Sequence, residues 1–499
     1  MQEEPPGSSC GRWLARRSMS QLDNGDSRGR DSSSLSSVSL LPASTTDARV
    51  VAISCMSDDN EHEHEEVTDA DDASLNVYKF DVTQYKDGTF RFVPACARDL
   101  IKYTGRLLYH GAQCKRKTKI NTVQFDWPAV TFQITVQGTS CVAIRLKGDG
   151  NYFNVFVNDE LRCILRASLN ATCCDVATDL DTSLEYAIRI CKRTEPQMRG
   201  AMSTFKVCTF YGFIVEENAE VFPVDQSEPQ FIRKMEFIGD SDTCGFGNEG
   251  KASSAKNLFG MKGRMENVYN GYACVTARMF DAEEHVLAWS GKGVHSNSAD
   301  WGPNMPILWK NTLASRPGDW DMSSWIPDVV VINLGINDLS PPASAETDII
   351  TGYAAFLLEV RSYRPDAHIF CVVYDDGCIS SEDLETNRKF VSLQLQEIVK
   401  VAISKVSKHD DKMHYTFIKV WLTVSKHKQV DEGLEKEDYA SMMHYAVSGH
   451  IKIAKVLAEE IALRTGWNVE HEPKTMPYPQ AKDKILTPRD HSKTSCNVS

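Results

Sequence analysis

The sequence lacks an apolar run long enough to span a bilayer, and residues 1–21 carry Arg12, Arg16 and Arg17 without the apolar core of a secretory signal. It also lacks excess positive charge, because 55 Lys and Arg face 68 Asp and Glu for a formal net charge of -13 at pH 7, and no basic patch offsets this. A transmembrane segment and a nucleic acid partner are therefore not expected. A cytoplasmic location is the default expectation, with secretion as the alternative if a signal peptide preceded this start.

Paired cysteine spacings are also missing. The 15 cysteines are odd in number and scattered, and neither Cys173 with Cys174 nor Cys371 with Cys378 has the spacing of a zinc site. We interpret them as reduced, small apolar residues and expect no metal or other cofactor. His62 and His64 alternate with glutamates in a stretch better interpreted as a solvated acidic tail.

At 499 residues the chain is long enough for two domains with tails. Its N-terminal part is rich in Ser, Asp and Glu and has too little apolar surface to offset the entropy of ordering, which predicts disorder. The predicted segments are a tail (1–75), a lead-in (76–105), a β-sandwich domain (106–222), a linker (223–232), an α/β domain (233–466) and a C-terminal tail (467–499).

The first domain shows period-two alternation. Phe132, Ile134 and Val136 alternate with polar residues, and Gly138 then marks a turn into the next such run. Several short strands of this kind, with no helical stripe between them, predict an antiparallel sandwich of jelly-roll or similar type.

The second domain alternates strands and helices, which predicts a parallel sheet with helices on both faces. Strands are expected at residues 234–239, 285–289, 329–332, 368–373 and 415–420, and helices at 270–280, 349–363, 383–404 and 447–464. Ligands of such sheets bind beyond the carboxyl ends of the strands.

Four segments of this domain carry residues suited to acyl transfer. The first three predicted strands end near Ser241, at the loop of Gly291, and near Asn337, and His444 precedes the last helix. A serine hydroxyl becomes a useful nucleophile when an imidazole takes its proton, and the tetrahedral intermediate needs donors around its oxyanion. We predict Ser241 as nucleophile and His444 as base, with the backbone N–H groups of Ser241 and Gly291 and the amide of Asn337 forming the oxyanion hole.

These ordered blocks resemble those of the SGNH (GDSL-type) hydrolases, and the longer strings resemble carbohydrate esterase family 2. The strings are residues 239–249 (GDSDTCGFGNE), 288–293 (AWSGKG), 327–338 (PDVVVINLGIND) and 192–195 (KRTE). The resemblance implies an N-terminal jelly-roll joined to an SGNH domain with a flavodoxin-like parallel sheet. It also implies an esterase that cleaves acetyl groups from oligo- or polysaccharide hydroxyls, without a metal or cofactor.

The sequence departs from this family pattern around the histidine. SGNH enzymes commonly carry Asp shortly before the catalytic histidine, whereas Ser441 and Met442 occupy those places here. Either Ser241 and His444 form a dyad whose imidazole is oriented by a backbone carbonyl such as that of Met442, or another carboxylate such as Asp438 supplies the contact.

Three other residues near these loops are expected either to support the structure or to contact the substrate. His450 is expected to begin the last helix rather than act as base. Trp301 and Tyr374 are candidate substrate contacts, Trp301 because an exposed indole stacks on a sugar ring. The rival functions are a glycan-binding protein that no longer turns over substrate and an esterase for lipid acyl groups, since one fold serves many esters.

Overall fold

The structure is a computed structural model. It describes residues 77–78, 89–110, 122–148, 150–196, 198–199, 204–205, 207–224, 233–250, 263–298, 302–340, 343–374, 382–418, 438–440, 444–474 and 485–488. The predicted N-terminal tail and most of the linker lie outside these residues. In the described part of the chain, no helix combines the length and the apolar character needed to cross a bilayer.

The first domain is made of strands, as the alternating sequence predicts. Before the linker they are β1 (Val77–Tyr78), β2 (Phe90–Pro94), β3 (Ile101–Thr104), β4 (Leu108–His110), β5 (Thr122–Phe125), β6 (Thr131–Gln137), β7 (Val142–Lys147), β8 (Tyr152–Val157), β9 (Glu160–Arg166), β10 (Thr172–Ala177), β11 (Tyr186–Lys192), β12 (Met198–Arg199), β13 (Thr204–Phe205), β14 (Cys208–Glu216) and β15 (Glu220–Val221).

Most of these strands form two sheets that face each other. One sheet follows the order β23-β9-β8-β11-β6-β15, with β1 beside β23 and β3 beside β6. Its strand β23 (Ile485–Pro488) lies near the C-terminal end of the sequence. The other sheet follows the order β10-β7-β14-β5-β4, with β2 beside β14. Burial alternates strictly along β6, so that Phe132, Ile134 and Val136 point into the core. The predicted sandwich is therefore confirmed.

The predicted limits of the sandwich were too narrow. Strands β2 and β3 lie in the segment predicted as a lead-in, and β23 lies in the predicted C-terminal tail, where it pairs with β9. These strands complete the sheets through pairing partners far away in sequence, which a local pattern does not reveal.

The second domain alternates strands and helices as predicted. Its elements are β16 (Arg233–Gly239), α1 (Ser241–Cys244), α2 (Tyr272–Met279), β17 (Ala282–Ala288), α3 (Met305–Leu308), β18 (Asn311–Leu313), β19 (Arg316–Asp319), β20 (Val329–Asn333), α4 (Glu346–Tyr363), β21 (His368–Tyr374), α5 (Glu382–Val406), β22 (Met413–Ile418) and α6 (Val447–Thr465), with 3-10 turns at Gly263–Met265, Val268–Asn270 and Asn337–Leu339.

Five of these strands form one parallel sheet in the order β17-β16-β20-β21-β22, which is the flavodoxin-like order. All five residues of β20 are buried, as expected for a central strand covered on both faces. Two separate apolar clusters cover these faces, and α4 and α5 pack on one while α2 and α6 pack on the other. This arrangement places the ends of β16, β17 and β20 side by side.

Buried polar contacts join the two domains. Arg106 of the sandwich forms an ion pair with Glu236 of β16 at 3.1 Å, and both side chains are fully buried. Asp126, between β5 and β6, accepts the backbone N–H groups of Ala314 and Ser315 at 2.8 and 2.9 Å. Because removing one partner of such a contact leaves the other buried and unsatisfied, these contacts specify how the domains dock.

Candidate active site

Ser241 follows the carboxyl end of β16 and begins the short helix α1. Asp240 caps this helix by accepting the N–H of Asp242 at 3.3 Å. Gly239 is needed at the strand end, because a Cβ there would lie 2.0 Å from the hydroxyl oxygen of Thr243. The tight turn thus presents Ser241 at the sheet edge.

The reactive groups of Ser241 remain available. Its side chain is half-buried, and within the described ranges neither its hydroxyl nor its N–H makes a hydrogen bond. Its carbonyl, in contrast, accepts the N–H of Phe246 at 3.0 Å, which folds the following loop back over the helix.

The loop after β17 supplies a second free backbone donor. Gly291 has a φ of 77°, a left-handed conformation that favours glycine, and its carbonyl accepts the N–H of Ser298 at 2.9 Å. In the part of the chain that the structure describes, the N–H of Gly291 has no hydrogen-bond acceptor. Free N–H groups at a strand end are suited to binding an oxyanion.

Asp338 holds this loop in shape. Its buried carboxylate accepts the N–H groups of Val294, His295 and Ser296 at 3.0, 2.7 and 2.8 Å. Burial raises the pKa of Asp338, and the three hydrogen bonds oppose that shift by stabilising the charged form. These contacts reach from the turn after β20 to the neighbouring loop after β17.

Asn337 connects the three loops. Its amide nitrogen donates to Oδ2 of Asp240 at 2.8 Å and to the carbonyl of Lys292 at 3.0 Å. The predicted convergence of these loops on one sheet edge is therefore observed. Both N–H bonds of the amide have protein acceptors, so an oxyanion would have to share or displace one of them.

His444 lies before α6 and reaches the same region. Its ring is half-buried and lies 4.8 Å, centre to centre, from the ring of Phe246 in the loop that follows Ser241. Its carbonyl accepts the N–H of Ala440 at 2.7 Å, next to the antiparallel bridge between Tyr439 and Tyr445. The structure thus brings His444 to the serine loop.

The group that orients His444 stays a prediction. Met442, whose carbonyl was proposed for this role, lies outside the described residues. The alternative carboxylate of Asp438 forms an ion pair with Lys452 at 2.7 Å, which commits its Oδ2 atom to that lysine.

His450 has a structural role, as predicted. It lies in the first turn of α6, is buried, and its Nδ1 accepts the backbone N–H of Tyr272 at 3.2 Å. Burial, with a further contribution from nearby His444, lowers the pKa of His450 to about 3. Its imidazole is therefore neutral near pH 7 and serves as a hydrogen-bond acceptor.

The two predicted substrate contacts have different outcomes. Trp301 lies outside the described residues. Tyr374 is 5% exposed and packs edge-on against Tyr272 and Tyr445. It was predicted as a substrate contact, and the structure instead places it in the core. Among the described residues, Tyr374 lines a cavity of about 20 Å³ beside Asp240, which is room for about one water molecule.

A buried polar group beneath the loops has no assigned role from sequence. Ligating atoms of Glu195, Cys244 and Glu266 lie within 4.8 Å of one another, which makes this a candidate metal group among the described residues. Burial raises the pKa of both carboxyls, and it lowers the pKa of neighbouring Lys192. The lysine charge disfavours a cation there, and Oε2 of Glu195 already accepts the N–H of Ser290 at 2.6 Å.

Comparison with known families agrees with this geometry. Residues 237–439 match the model of the GDSL-like lipase/acylhydrolase family, and residues 116–224 match the carbohydrate esterase 2 N-terminal domain. The fold and the order of the blocks thus define a GDSL-like hydrolase domain behind a β-sandwich. Together the two matches assign the chain a carbohydrate esterase 2 N-terminal domain and a GDSL-like lipase/acylhydrolase domain.

Individual relatives are similar over parts of the chain. It is 35% identical over 236 residues to the cellulase/esterase CelE of Acetivibrio thermocellus, covering 47% of this chain and 26% of that protein. It is 26% identical over 267 residues to an acetylxylan esterase / glucomannan deacetylase of Cellvibrio japonicus, covering 51% of this chain and 69% of that protein. The chain thus spans about a quarter of the cellulase/esterase.

A solved structure extends the similarity to both domains. A family two carbohydrate esterase from Clostridium thermocellum, in complex with cellohexaose, is 26% identical with a TM-score of 0.58. The match covers 74% of this chain and 100% of that chain, so the pairing of sandwich and hydrolase domain is shared.

Proposed function

We propose that the protein is a serine esterase that removes acetyl groups from carbohydrate hydroxyls through an acyl-serine intermediate. The observation that carries this proposal is the junction of three strand-end loops, in which Asn337 bonds to Asp240 beside Ser241 and to the loop of Gly291. The matches to a GDSL-like acylhydrolase domain and to the carbohydrate esterase 2 N-terminal domain support the same reaction class.

In the first half of the reaction, His444 takes the proton of the Ser241 hydroxyl as its oxygen attacks the acetyl carbonyl. The resulting oxyanion receives hydrogen bonds from the N–H groups of Ser241 and Gly291. When the tetrahedral intermediate collapses, the bond to the sugar oxygen breaks and His444 protonates that leaving alcohol. The acetyl group stays on Ser241.

In the second half, His444 takes a proton from water, and the resulting hydroxide attacks the acyl-serine. Collapse of this second intermediate releases acetate and returns the proton to Ser241. The oxyanion forms twice at the same donors, and each donor typically contributes about 2.7 to 4 kcal/mol to lowering the barrier.

Asn337 completes the donor set by redirecting one N–H. Its bond to the carbonyl of Lys292 is between neutral groups, whereas a bond to an oxyanion is charge-assisted and about twice as strong. As the oxyanion forms, it would replace the Lys292 carbonyl as the acceptor of this Asn337 N–H. The hydrogen bond of Asn337 would then be stronger in the transition state than in the resting enzyme, which is the condition for catalysis.

The substrate class follows from the names of the relatives. One relative is named for acetylxylan and glucomannan deacetylation, and another was solved with cellohexaose. An acetylated plant-type polysaccharide is therefore the substrate that we propose for this chain.

Hydrolysis of 4-nitrophenyl acetate by the purified full chain tests the mechanism. Ser241→Ala and His444→Ala should each lower kcat by at least about 10⁴-fold. Ser323→Ala provides the control, because this exposed hydroxyl bonds only locally, to Asp321. Unchanged rates in the two active-site variants would contradict the mechanism.

Two further measurements separate the rival functions. Acetate release from acetylated xylan should exceed hydrolysis of long-chain acyl esters, and the reverse order would indicate a lipid esterase. Glycan binding by calorimetry without any turnover of either ester would instead favour a binding protein that has lost catalysis.

A further inference from the structure

One carboxylate of the sandwich domain reaches the two loops that present the oxyanion donors. Glu195 lies just after β11 and is 8% exposed. Its Oε2 atom accepts the backbone N–H of Ser290 at 2.6 Å and the thiol of Cys244 at 3.4 Å. Ser290 belongs to the loop after β17, and Cys244 belongs to α1.

Each contact lies next to a predicted oxyanion donor. Ser290 immediately precedes Gly291, so a bond to the Ser290 N–H restrains the chain just before the Gly291 N–H. Cys244 ends the helix that Ser241 begins, and its sulfur also lies 3.3 Å from the Ser241 carbonyl. A single oxygen atom of Glu195 therefore connects the supports of both donors.

Glu195 is itself held firmly. Its carbonyl accepts the ammonium group of Lys192 at 3.1 Å, and its N–H donates to the carboxylate of Glu266. Arg193, two residues before Glu195, forms a buried ion pair with Glu249 of the hydrolase domain and donates to the carbonyl of Glu266 at 3.2 Å. A residue whose backbone is held in this way loses little further backbone entropy when its side chain supports a loop.

We propose that Glu195 is a positioning residue, supplied by the sandwich domain, that holds the N–H groups of Ser241 and Gly291 in the geometry of the oxyanion hole. The inference rests on the proposed esterase function for its catalytic consequence. It makes the sandwich part of the catalytic apparatus, because the donors of the hydrolase domain depend on a side chain from the other domain.

The chain offers a matched control for this role. Asp126 is also a buried sandwich carboxylate that accepts two backbone N–H groups of the hydrolase domain, those of Ala314 and Ser315. These two residues join β18 to β19 and lie on none of the loops that carry the predicted catalytic groups. Substitution of either carboxylate removes an interdomain hydrogen bond. Of the two, only Glu195 contacts the segments that carry the predicted oxyanion donors.

The kinetic test compares Glu195→Ala, Glu195→Gln and Asp126→Asn with aryl acetate as substrate. Glu195→Ala should lower kcat by about 10- to 100-fold with little change in KM, since a small misplacement of donors costs up to about 10²-fold. Glu195→Gln keeps an oxygen for the Ser290 N–H, and it should recover at least half of that loss on a logarithmic scale. Asp126→Asn should stay within about threefold of the wild type.

A second readout does not depend on turnover. Hydrogen–deuterium exchange should rise in peptides containing residues 241–247 and 289–293 of Glu195→Ala, and in the peptide containing residues 314–315 of Asp126→Asn. The rise at residues 289–293 should be smaller but measurable in Glu195→Gln, because its amide oxygen accepts the Ser290 N–H only as a weaker, neutral hydrogen bond. The conservative glutamine variant serves here in case the alanine variant does not fold.

The outcomes distinguish a failure of the proposed esterase function from a failure of the positioning role of Glu195. A wild-type protein without esterase activity contradicts the proposed function, whereas the exchange pattern still decides whether Glu195 holds the loops. Equal kcat losses in Glu195→Ala and Asp126→Asn, or unchanged exchange at residues 289–293, would overturn the positioning role.

Discussion

Ser241 and His444 reach the site by different structural routes. Ser241 stands at the end of a central strand, where three neighbouring loops are linked through the side chains of Asn337, Asp338 and Glu195. His444 stands on a stretch before α6 in which Tyr439 and Tyr445 form an antiparallel bridge, and its ring packs on Phe246. The oxyanion side is thus built into the sheet, and the base side depends on a connecting segment.

This difference indicates where substitutions are tolerated. Parallel strands in register place their ends at fixed positions, so the donor geometry follows from the fold. A histidine on a connecting segment is less constrained by the sheet, because such segments vary more than the elements they join. We therefore expect changes on the serine side to be costly and changes behind the histidine to be milder.

Between the serine side and the histidine side of the site, the largest effect should come from Asn337→Ala. This change removes both the side-chain amide that donates to the oxyanion and the hydrogen bond to Asp240. We expect kcat to fall by about 10²- to 10³-fold in steady-state assays with an aryl acetate. Asn333→Ala is the control, since Asn333 ends the same strand but donates to the carbonyl of Val372 at 3.0 Å. Equal losses in both variants would show that Asn337 acts only through the packing of this strand end.

Gly293→Ala should have the next largest effect, because it forces the glycine loop to move. A Cβ at this position would lie 1.8 Å from the carbonyl oxygen of Ser296 and 2.4 Å from Oδ2 of Asp338. We expect kcat to fall by about 10²-fold through misplacement of the Gly291 N–H. Gly318→Ala is the control, because nothing lies within 4 Å of its added Cβ. Wild-type kcat in Gly293→Ala would show that the loop tolerates displacement.

A smaller effect on activity is expected for His450→Ala. This change removes the acceptor of the Tyr272 N–H, so it should lower the free energy of unfolding by about 1–3 kcal/mol. The remaining folded protein should keep kcat within about tenfold of the wild type, whereas His444→Ala should not. A loss in His450→Ala as large as that in His444→Ala would make His450 a candidate base.

The same variant has a defined dependence on pH. The pKa of His450 is about 3 in the folded protein, while the unfolded chain takes up the proton near the ordinary histidine pKa of 6.5. Between these values the unfolded state binds more protons, so this histidine costs stability as the pH falls. The stability difference between wild type and His450→Ala, measured by denaturant unfolding, should therefore shrink from pH 7 to pH 5.

The smallest effect is expected behind the histidine. Met442→Asp restores the residue type that related enzymes commonly carry near this position, and kcat should hold within about threefold or rise if a carboxylate is merely missing. Met443→Asp is the neighbouring control. A large loss in folded Met442→Asp would indicate a dyad geometry with no room for the carboxylate, and it would contradict the expected tolerance of this side.

Much of the fold was predictable from local pattern. The alternation of Phe132, Ile134 and Val136 predicted β6, and the apolar run at 329–332 predicted β20 to within a residue. The long helix predicted from 383 to about 404 is α5 (Glu382–Val406). Side-chain periodicity is a local property, so these elements could be assigned without knowledge of their partners.

The errors arose where distant segments meet. Strand β23 joins the sandwich although more than 300 residues separate it from its partner β9, and Tyr374 lies in the core because α2 and the stretch before α6 cover it. Neither fact has a signal in the residues nearby.

The sequence by itself determined the order of strands and helices, the residue types at the strand ends, and the assignment of Ser241 and His444 as chemical candidates. Only the tertiary structure decided which groups support them. Glu195 and Ser290 are 95 positions apart, and Asp240 and Asn337 are 97 apart. Contacts at such separations depend on domain docking and sheet order, and neither leaves a periodic signature along the chain.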